Sequence, residues 1–251
     1  MKNNVVYGVV CVVLGAILAT GCSADKNNAA HVVQNGDNSA AMRRIAHKAR
    51  KAGNIDAAIN LYNKAIEIDP ANPEGYLGLA ESCMDKNLLD AASEHLKQAE
   101  SHGCNRKKSS YIRGKIFLLS GDQGSAEREF IKYEGVDSLN ALGAIYDSRE
   151  EHQKAQRYYK RVIAMSPNYI DAYNNMGLSL LLCRRYKEAI FYLENACSLP
   201  EADVTYRSNL ALAYGLAGNL SKVREVYAQD YDGTELERRV AYMKELISSL
   251  K

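Results

Sequence analysis

A position occupied by a residue with a short side chain recurs along this chain at nearly constant spacing. This repeat limits the folds that the chain can adopt. The steps between successive occurrences are 34, 34, 29, 34 and 34 residues. Glycine or alanine recurs twelve residues before each occurrence, and a large apolar residue recurs four residues after it. The recurring short residues are Ala58, Ala92, Ala126, Ala155, Ala189 and Val223. Small side chains are needed where two helices cross closely, so the repeat predicts a series of helix hairpins.

The same pattern resembles the tetratricopeptide repeat, a helix hairpin of about 34 residues. The resemblance implies an all-α solenoid of about six hairpins and a C-terminal capping helix over residues 40–251. The step of 29 predicts an early end to the second helix of the third hairpin, at residues 133–135. Four turn positions carry glycine or asparagine, which tolerate the left-handed backbone of a tight helix end. These positions are Gly53, Asn87, Gly121 and Gly218.

The beginning of the chain has the sequence features of an export signal. Residues 1–21 combine a polar, basic start with a short apolar run and a small-residue end, which is typical of a secretory signal peptide. Cys22 directly follows Gly21, and this pattern is similar to the lipidation site of bacterial lipoproteins. Residues 22–39 are polar and are predicted to form a flexible tether that begins at the lipidated Cys22. The alternative is a plain cleavable signal or a membrane anchor.

Resemblance to bacterial lipoproteins also predicts where the protein resides. Ser23 follows the cysteine, and no aspartate stands there. In enterobacterial lipoproteins this favours the outer membrane over the inner one. We therefore expect a protein anchored by acyl chains such as palmitate, in which the helical array faces the periplasm.

Charge and composition argue against nucleic-acid binding. The 32 Lys and Arg nearly balance the 30 Asp and Glu, and the basic residues are spread along the array. The densest basic stretch falls on the first helix and comprises Arg43, Arg44, Lys48, Arg50 and Lys51. One interpretation is a solvated helix face. The other is weak attraction to anionic lipid headgroups beside the anchor.

No constellation of residues points to catalysis or to a cofactor. The histidines lack metal-type spacing, and neither a glycine-rich phosphate loop nor a nucleophile elbow occurs. Cys83, Cys104, Cys183 and Cys197 are interpreted as small apolar packing residues. Exported proteins can form disulfides, so whether any of the four are paired stays open at this point. The sequence favours a binding scaffold, and not an enzyme.

The predicted binding surface is the concave face lined by the first helix of each hairpin. In the last two full repeats this face carries amides and leucines. Amides offer both donors and acceptors to a peptide backbone. The predicted partner-binding residues are Asn174, Asn175, Leu178, Leu181, Ser208, Asn209 and Leu212, together with Tyr111 and Lys115. For Leu178 and Leu212 the alternative is a place in the core between hairpins.

A further resemblance lies in the C-terminal half. Residues 175–180 (NMGLSL), 185–189 (RYKEA) and 209–219 (NLALAYGLAGN) resemble the TadD lipoproteins of the tight-adherence (Flp) pilus system. The resemblance implies a pilotin-like scaffold that binds an outer-membrane secretin or another pilus-assembly component. The alternative is a lipoprotein adaptor that regulates a cell-wall enzyme or belongs to an outer-membrane protein insertion complex.

Overall fold

The computed structural model describes residues 38–249, and throughout this range the regular structure is helical. The helices are α1 Asn38–Lys51, α2 Ile55–Ile68, α3 Pro73–Asp85, α4 Leu89–Ser101, α5 Arg106–Leu119, α6 Gln123–Lys132, α7 Val136–Ser148, α8 His152–Met165, α9 Ile170–Leu182, α10 Tyr186–Cys197, α11 Val204–Leu216, α12 Leu220–Tyr227 and α13 Gly233–Ser249. Consecutive helices pair into six hairpins, and α13 follows the last. The predicted all-α tetratricopeptide solenoid is therefore confirmed.

The predicted N-terminal segments are mostly beyond the described range. The signal peptide of residues 1–21 and the lipidated Cys22 lie outside the described residues, as does most of the tether of residues 22–39. Helix α1 begins at Asn38, slightly ahead of the predicted start of the array at residue 40. None of the helices in the described range is long and apolar enough to cross a membrane.

The described chain divides into two compact units, with the boundary between Ser138 and Leu139. The N-terminal unit contains α1 to α6, and the C-terminal unit contains most of α7 and all later helices. Helix α6 ends at Lys132, which accounts for the shorter step of 29 in the repeat.

Every hairpin turns through one residue with a left-handed backbone. Four of these positions are the predicted Gly53, Asn87, Gly121 and Gly218, with φ of 79°, 57°, 84° and 84°. Glu150 and Arg184 occupy the equivalent position in the other two hairpins, with φ of 63° and 57°. In each turn the next amide donates back to a carbonyl of the first helix, at 2.8–2.9 Å. This hydrogen bond closes the helix end and sets the second helix running back along the first.

The recurring glycines of the first helices make room for a large side chain from the second helix of the same hairpin. A Cβ added at Gly114 would lie 2.5 Å from the Phe130 ring. In the C-terminal unit, a Cβ at Gly143 would lie 2.3 Å from the Tyr159 ring. Because such contacts are far below van der Waals distance, these positions admit no larger residue without movement of the ring.

The last helix covers the last hairpin. Leu236, Val240, Met243 and Ile247 form a buried stripe along α13. A Cβ added at Gly215 of α11 would lie 2.2 Å from Ile247 Cδ1. Solenoids need such a terminal element because the final repeat has no following neighbour.

Candidate functional site

Four asparagine side chains form a continuous hydrogen-bonded row across α7, α9 and α11 of the C-terminal unit. Asn209 Nδ2 donates to Asn174 Oδ1 at 2.8 Å. Asn174 Nδ2 donates to Asn175 Oδ1 at 3.3 Å, and Asn175 Nδ2 donates to Asn140 Oδ1 at 3.1 Å. We call these four residues the amide row. The structure therefore brings together all three predicted asparagines and adds Asn140.

The repeat itself explains the pairing. Each bond between hairpins joins residues 35 positions apart, one more than the 34-residue period. In the C-terminal unit the successive first helices α7, α9 and α11 lie side by side, so a residue of one repeat meets the residue that follows its equivalent in the next. A search for asparagines separated by the period plus one is the sequence signal that would have found these pairs.

The three half-buried members of the amide row, Asn140, Asn174 and Asn175, keep hydrogen-bonding capacity for a ligand, whereas Asn209 is buried. A primary amide has two N–H donors and an oxygen with two lone pairs. The bonds within the row use one N–H of Asn209, Asn174 and Asn175, and one lone pair of each accepting oxygen. The bonds also fix the orientation of the amides before any ligand arrives, which lowers the ordering cost of binding.

The other predicted residues of this unit differ in their exposure. Leu178 is half-buried and lies one turn beyond Asn174 on α9. Leu181 and Leu212 are 7% and 5% exposed, and Ser208 is also buried. Of the two leucines whose place was left open, Leu212 therefore belongs to the core, whereas Leu178 keeps exposed surface.

A second hydrogen bond joins α9 to α11. Tyr206 Oη donates to Asp171 Oδ1 at 2.7 Å, again across 35 residues of sequence. Burial and this bond to Asp171 raise the pKa of the Tyr206 hydroxyl above its ordinary value. The phenol therefore stays protonated and keeps donating, which helps to hold the two helices that carry the amide row.

Tyr111 and Lys115 lie in the N-terminal unit, on α5. The Tyr111 ring lies 5.8 Å from the Phe130 ring, measured between centroids, at a tilt of 45°. Lys115 Nζ is 5.7 Å from the centroid of the Tyr111 ring. Both side chains are half-buried.

A buried polar cluster further along α7 and α9 than the amide row was not predicted from the sequence. Asp147 Oδ1 accepts from Ser179 Oγ at 2.7 Å and lies 2.8 Å from His152 Nδ1. Its other oxygen accepts from Tyr159 Oη at 2.9 Å. Burial raises the pKa of the Asp147 carboxyl above its ordinary value, although these three partners act in the opposite direction.

This cluster does not have the geometry of a nucleophilic triad. Ser179 and His152 both contact the same carboxylate, and no bond joins the serine hydroxyl to the imidazole, which general-base activation requires. Gln156 Nε2 donates to Ser179 Oγ at 3.3 Å, and Arg185 donates to Gln156 Oε1 at 3.2 Å. The cluster ties α7, α8 and α9 together, and α7 and α9 also carry members of the amide row.

Residues 38–249 contain neither a group of metal ligands nor a disulfide. Within residues 38–249, no three His, Cys, Asp or Glu side chains are grouped so as to hold a metal ion. Cys83, Cys104, Cys183 and Cys197 are all free thiols. Cys83 packs in the core with Ala80, and burial raises its pKa above the ordinary value.

Comparison with protein families agrees with the architecture. Tetratricopeptide-repeat models match residues 49–103, 138–169 and 158–191. The chain is a tetratricopeptide-repeat protein, and proteins with this fold typically act as scaffolds for protein interactions.

The individual proteins that match this chain have low sequence identity to it. BBSome complex member BBS4 of Bos taurus is 24% identical over 149 residues, which are 57% of this chain and 29% of that protein. The chain thus spans less than a third of this curated relative. Among solved structures, PilW is 19% identical, with a TM-score of 0.63 over 86% of this chain and 100% of PilW. PilF of Pseudomonas aeruginosa is 14% identical, with a TM-score of 0.63 over 85% of this chain and 98% of PilF. These likenesses show the fold.

Proposed function

We propose that this protein is a lipid-anchored scaffold of the outer membrane, facing the periplasm, that assists assembly of a tight-adherence (Flp) pilus. In this proposal it performs no catalysis. It binds an extended segment of an outer-membrane secretin or of another pilus-assembly component along the amide row. The binding scaffold rests on the fold, whereas the anchor and the pilus role rest on the sequence resemblances.

The amide row is the observation that carries the binding proposal. A row of neutral, pre-ordered amides offers donors and acceptors at fixed positions, which is what an extended backbone requires from a surface. Because the backbone is the same at every residue, the row recognises an extended conformation, and exposed parts of Leu178 add apolar contact.

Two observations support the pilus role. The segments around residues 175–189 and 209–219 resemble the TadD lipoproteins. PilW is a type IV pilus biogenesis factor, and this chain aligns with the whole of PilW. At 19% identity that alignment supports the shape of the protein, so the sequence resemblance carries the assignment to the Flp system.

A binding measurement with purified protein tests the proposal. The double variant Asn174→Ala with Asn209→Ala removes two members of the amide row. Loss of a partner from a buried polar group costs about 1–3 kcal/mol per group. We therefore expect the variant to bind the secretin of the same cell at least about tenfold more weakly in biolayer interferometry.

The matched control is Asn60→Ala with Asn63→Ala, which removes two exposed amides from α2. This control should bind the secretin like the wild type, and both variants should keep the helical circular-dichroism signal. Normal secretin binding by the Asn174 and Asn209 variant would place the partner elsewhere. No secretin binding by the wild type would refute the secretin as partner.

The anchor has its own test. Changing Cys22→Ser removes the thiol that would carry the acyl chains, so the protein should move from the outer-membrane fraction to the soluble periplasm. Metabolic labelling with palmitate should mark the wild type and leave the variant unlabelled. Outer-membrane retention of the unlabelled variant would contradict the lipid anchor.

A further inference from the structure

The N-terminal unit contains a second candidate binding site, a cavity of about 650 Å³. Side chains of α1 and α3 form most of its wall, and α5 contributes one lysine. The charged residues that line it are Arg43, Arg44, Lys48, Glu74, Glu81 and Lys108. We call this cavity the basic cavity, and it belongs entirely to the N-terminal unit.

Both acidic residues of the wall are already paired with cations. Lys108 Nζ lies 2.5 Å from Glu74 Oε2. Glu81 Oε2 lies 3.2 Å from Arg50 Nη2, and Arg50 also reaches Asp85 at 3.2 Å. Both carboxylates are therefore already engaged, Glu74 with Lys108 of α5 and Glu81 with Arg50, a cation of α1 that does not line the cavity.

Three cations of α1 lack an acidic partner among the described residues. Arg43 donates to the neutral hydroxyl of Ser39 at 2.5 Å. Arg44 and Lys48 are exposed and have no ion pair in residues 38–249. Arg44 and Lys48 are four residues apart on one helix, so their like charges repel each other, and an anionic ligand would relieve this repulsion.

The floor of the cavity is apolar. The Tyr62 ring and Leu77 line it beside the backbone of Gly78. A Cβ at Gly78 would lie 2.2 Å from the Tyr62 ring, so the ring packs directly on the helix backbone. A ligand would therefore meet cations at the rim and an apolar surface beneath them.

We propose that the basic cavity binds an extended, acidic segment of a partner protein. Glutamate or aspartate side chains of the segment pair with Arg43, Arg44 and Lys48, and an apolar side chain between them contacts the floor. Arginine favours such pairing because its guanidinium can bind a carboxylate through two parallel hydrogen bonds. The site is independent of the amide row and differs from it in chemistry.

The geometry favours a protein segment over a membrane surface. Attraction to anionic headgroups acts on any basic segment close to the membrane surface, and it requires neither a cavity nor an apolar floor. Here the same cations line a cavity whose walls come from more than one helix, and whose floor is apolar. A narrow, amphipathic chain can enter such a space.

Fluorescence anisotropy of the full-length protein tests the proposal. The probe is a short fluorescein-labelled peptide that alternates glutamate and leucine, and the comparison peptide alternates glutamine and leucine. We expect the acidic peptide to bind and the glutamine peptide to bind at least about tenfold more weakly. Binding of the acidic peptide should weaken as salt increases, because the contacts are charged.

Charge reversal then locates the site. The variant Arg44→Glu with Lys48→Glu should weaken binding of the acidic peptide at least about tenfold. The control Lys64→Glu with Lys97→Glu makes the same change in net charge at exposed positions outside the cavity, and should bind like the wild type. The Asn174→Ala with Asn209→Ala variant should also bind the acidic peptide normally, since it leaves the basic cavity intact.

Three results would overturn the proposal. The first is absence of acidic-peptide binding by the wild type. The second is equal weakening by the cavity variant and the control, which would indicate general charge attraction. The third is binding to vesicles of phosphatidylglycerol that depends on Arg44 and Lys48, without binding of the peptide, which would assign these cations to lipid.

Discussion

Gly143→Ala tests the packing of the hairpin core and the buried polar cluster together. The added methyl group would lie 2.3 Å from Cε1 and 2.7 Å from Cζ of Tyr159. The Tyr159 ring is buried and cannot yield toward solvent. It must therefore shift, and its hydroxyl then moves away from Asp147 Oδ2, which it now contacts at 2.9 Å.

The expected cost follows from three terms. Overpacking of a close contact costs about 1–3 kcal/mol. Loss of a donor to a buried acceptor costs about 1–3 kcal/mol. Alanine favours a helix over glycine by roughly 1 kcal/mol, which opposes the other two. We expect a net loss of about 1–5 kcal/mol in unfolding free energy, or roughly 2–20 °C in melting temperature for a chain of this size.

Two other glycines serve as references in the same thermal and urea unfolding experiments. Gly177→Ala places a Cβ 2.5 Å from Leu193 Cγ, so it measures overpacking without a lost polar bond. Gly124→Ala meets only Asp122 Oδ1 and Arg128 Nη1, at 3.6 and 3.8 Å, and should be neutral or slightly stabilising. The expected order of destabilisation is Gly143→Ala, then Gly177→Ala, then Gly124→Ala. Equal effects at Gly143 and Gly124 would refute the close contact with Tyr159.

Three further predictions concern single residues. Burial raises the pKa of the Asp147 carboxyl in the folded protein above its value in the unfolded chain. The protonated carboxyl therefore contributes to stability fully at a pH below the unfolded-state pKa, and this contribution is lost as the pH rises through the folded-state pKa. The difference in unfolding free energy between wild type and Asp147→Asn should thus fall from pH 4 toward neutral in urea titrations, and a rising difference would contradict this. Burial raises the pKa of the Cys197 thiol to about 11, so iodoacetamide should label it slowly at neutral pH and rapidly in urea, as followed by mass spectrometry. Gly218→Ala should cost about 1–2 kcal/mol, because φ is +84° there, and an unchanged urea midpoint would count against the left-handed turn.

The sequence was sufficient to predict the hairpins because several packing requirements repeat together. Each hairpin needs a small residue on its first helix and a large one opposite. Gly177 and Leu193 illustrate the reason, because a Cβ at Gly177 would lie only 2.5 Å from Leu193 Cγ. The glycine and asparagine turns were predicted for the same reason. Glu150 and Arg184 escaped prediction because long charged side chains rarely adopt a left-handed backbone, and only the repeat spacing marks them.

The polar groups were harder to predict because their partners lie on other helices. Asp147 lies two turns after Asn140 on α7, so the helical period alone places both side chains on the same face. The structure buries Asp147 instead, where Ser179 of the next hairpin supplies a donor. A period of 34 residues indicates which side of a helix a residue occupies. It does not indicate whether a neighbouring hairpin carries a hydrogen-bonding partner for a polar side chain at that position.

The repeat also explains how one fold can present two kinds of binding chemistry. Arg44 and Asn209 occupy the same position in the first and the last hairpin, since they are separated by the sum of the repeat steps. This position does not set the contact between the two helices of a hairpin, which depends on residues such as Gly143 and Tyr159. It can therefore change from a cation to an amide without loss of the hairpin. In the two sites proposed above, this position would bind carboxylates in the N-terminal unit and the peptide backbone in the C-terminal unit.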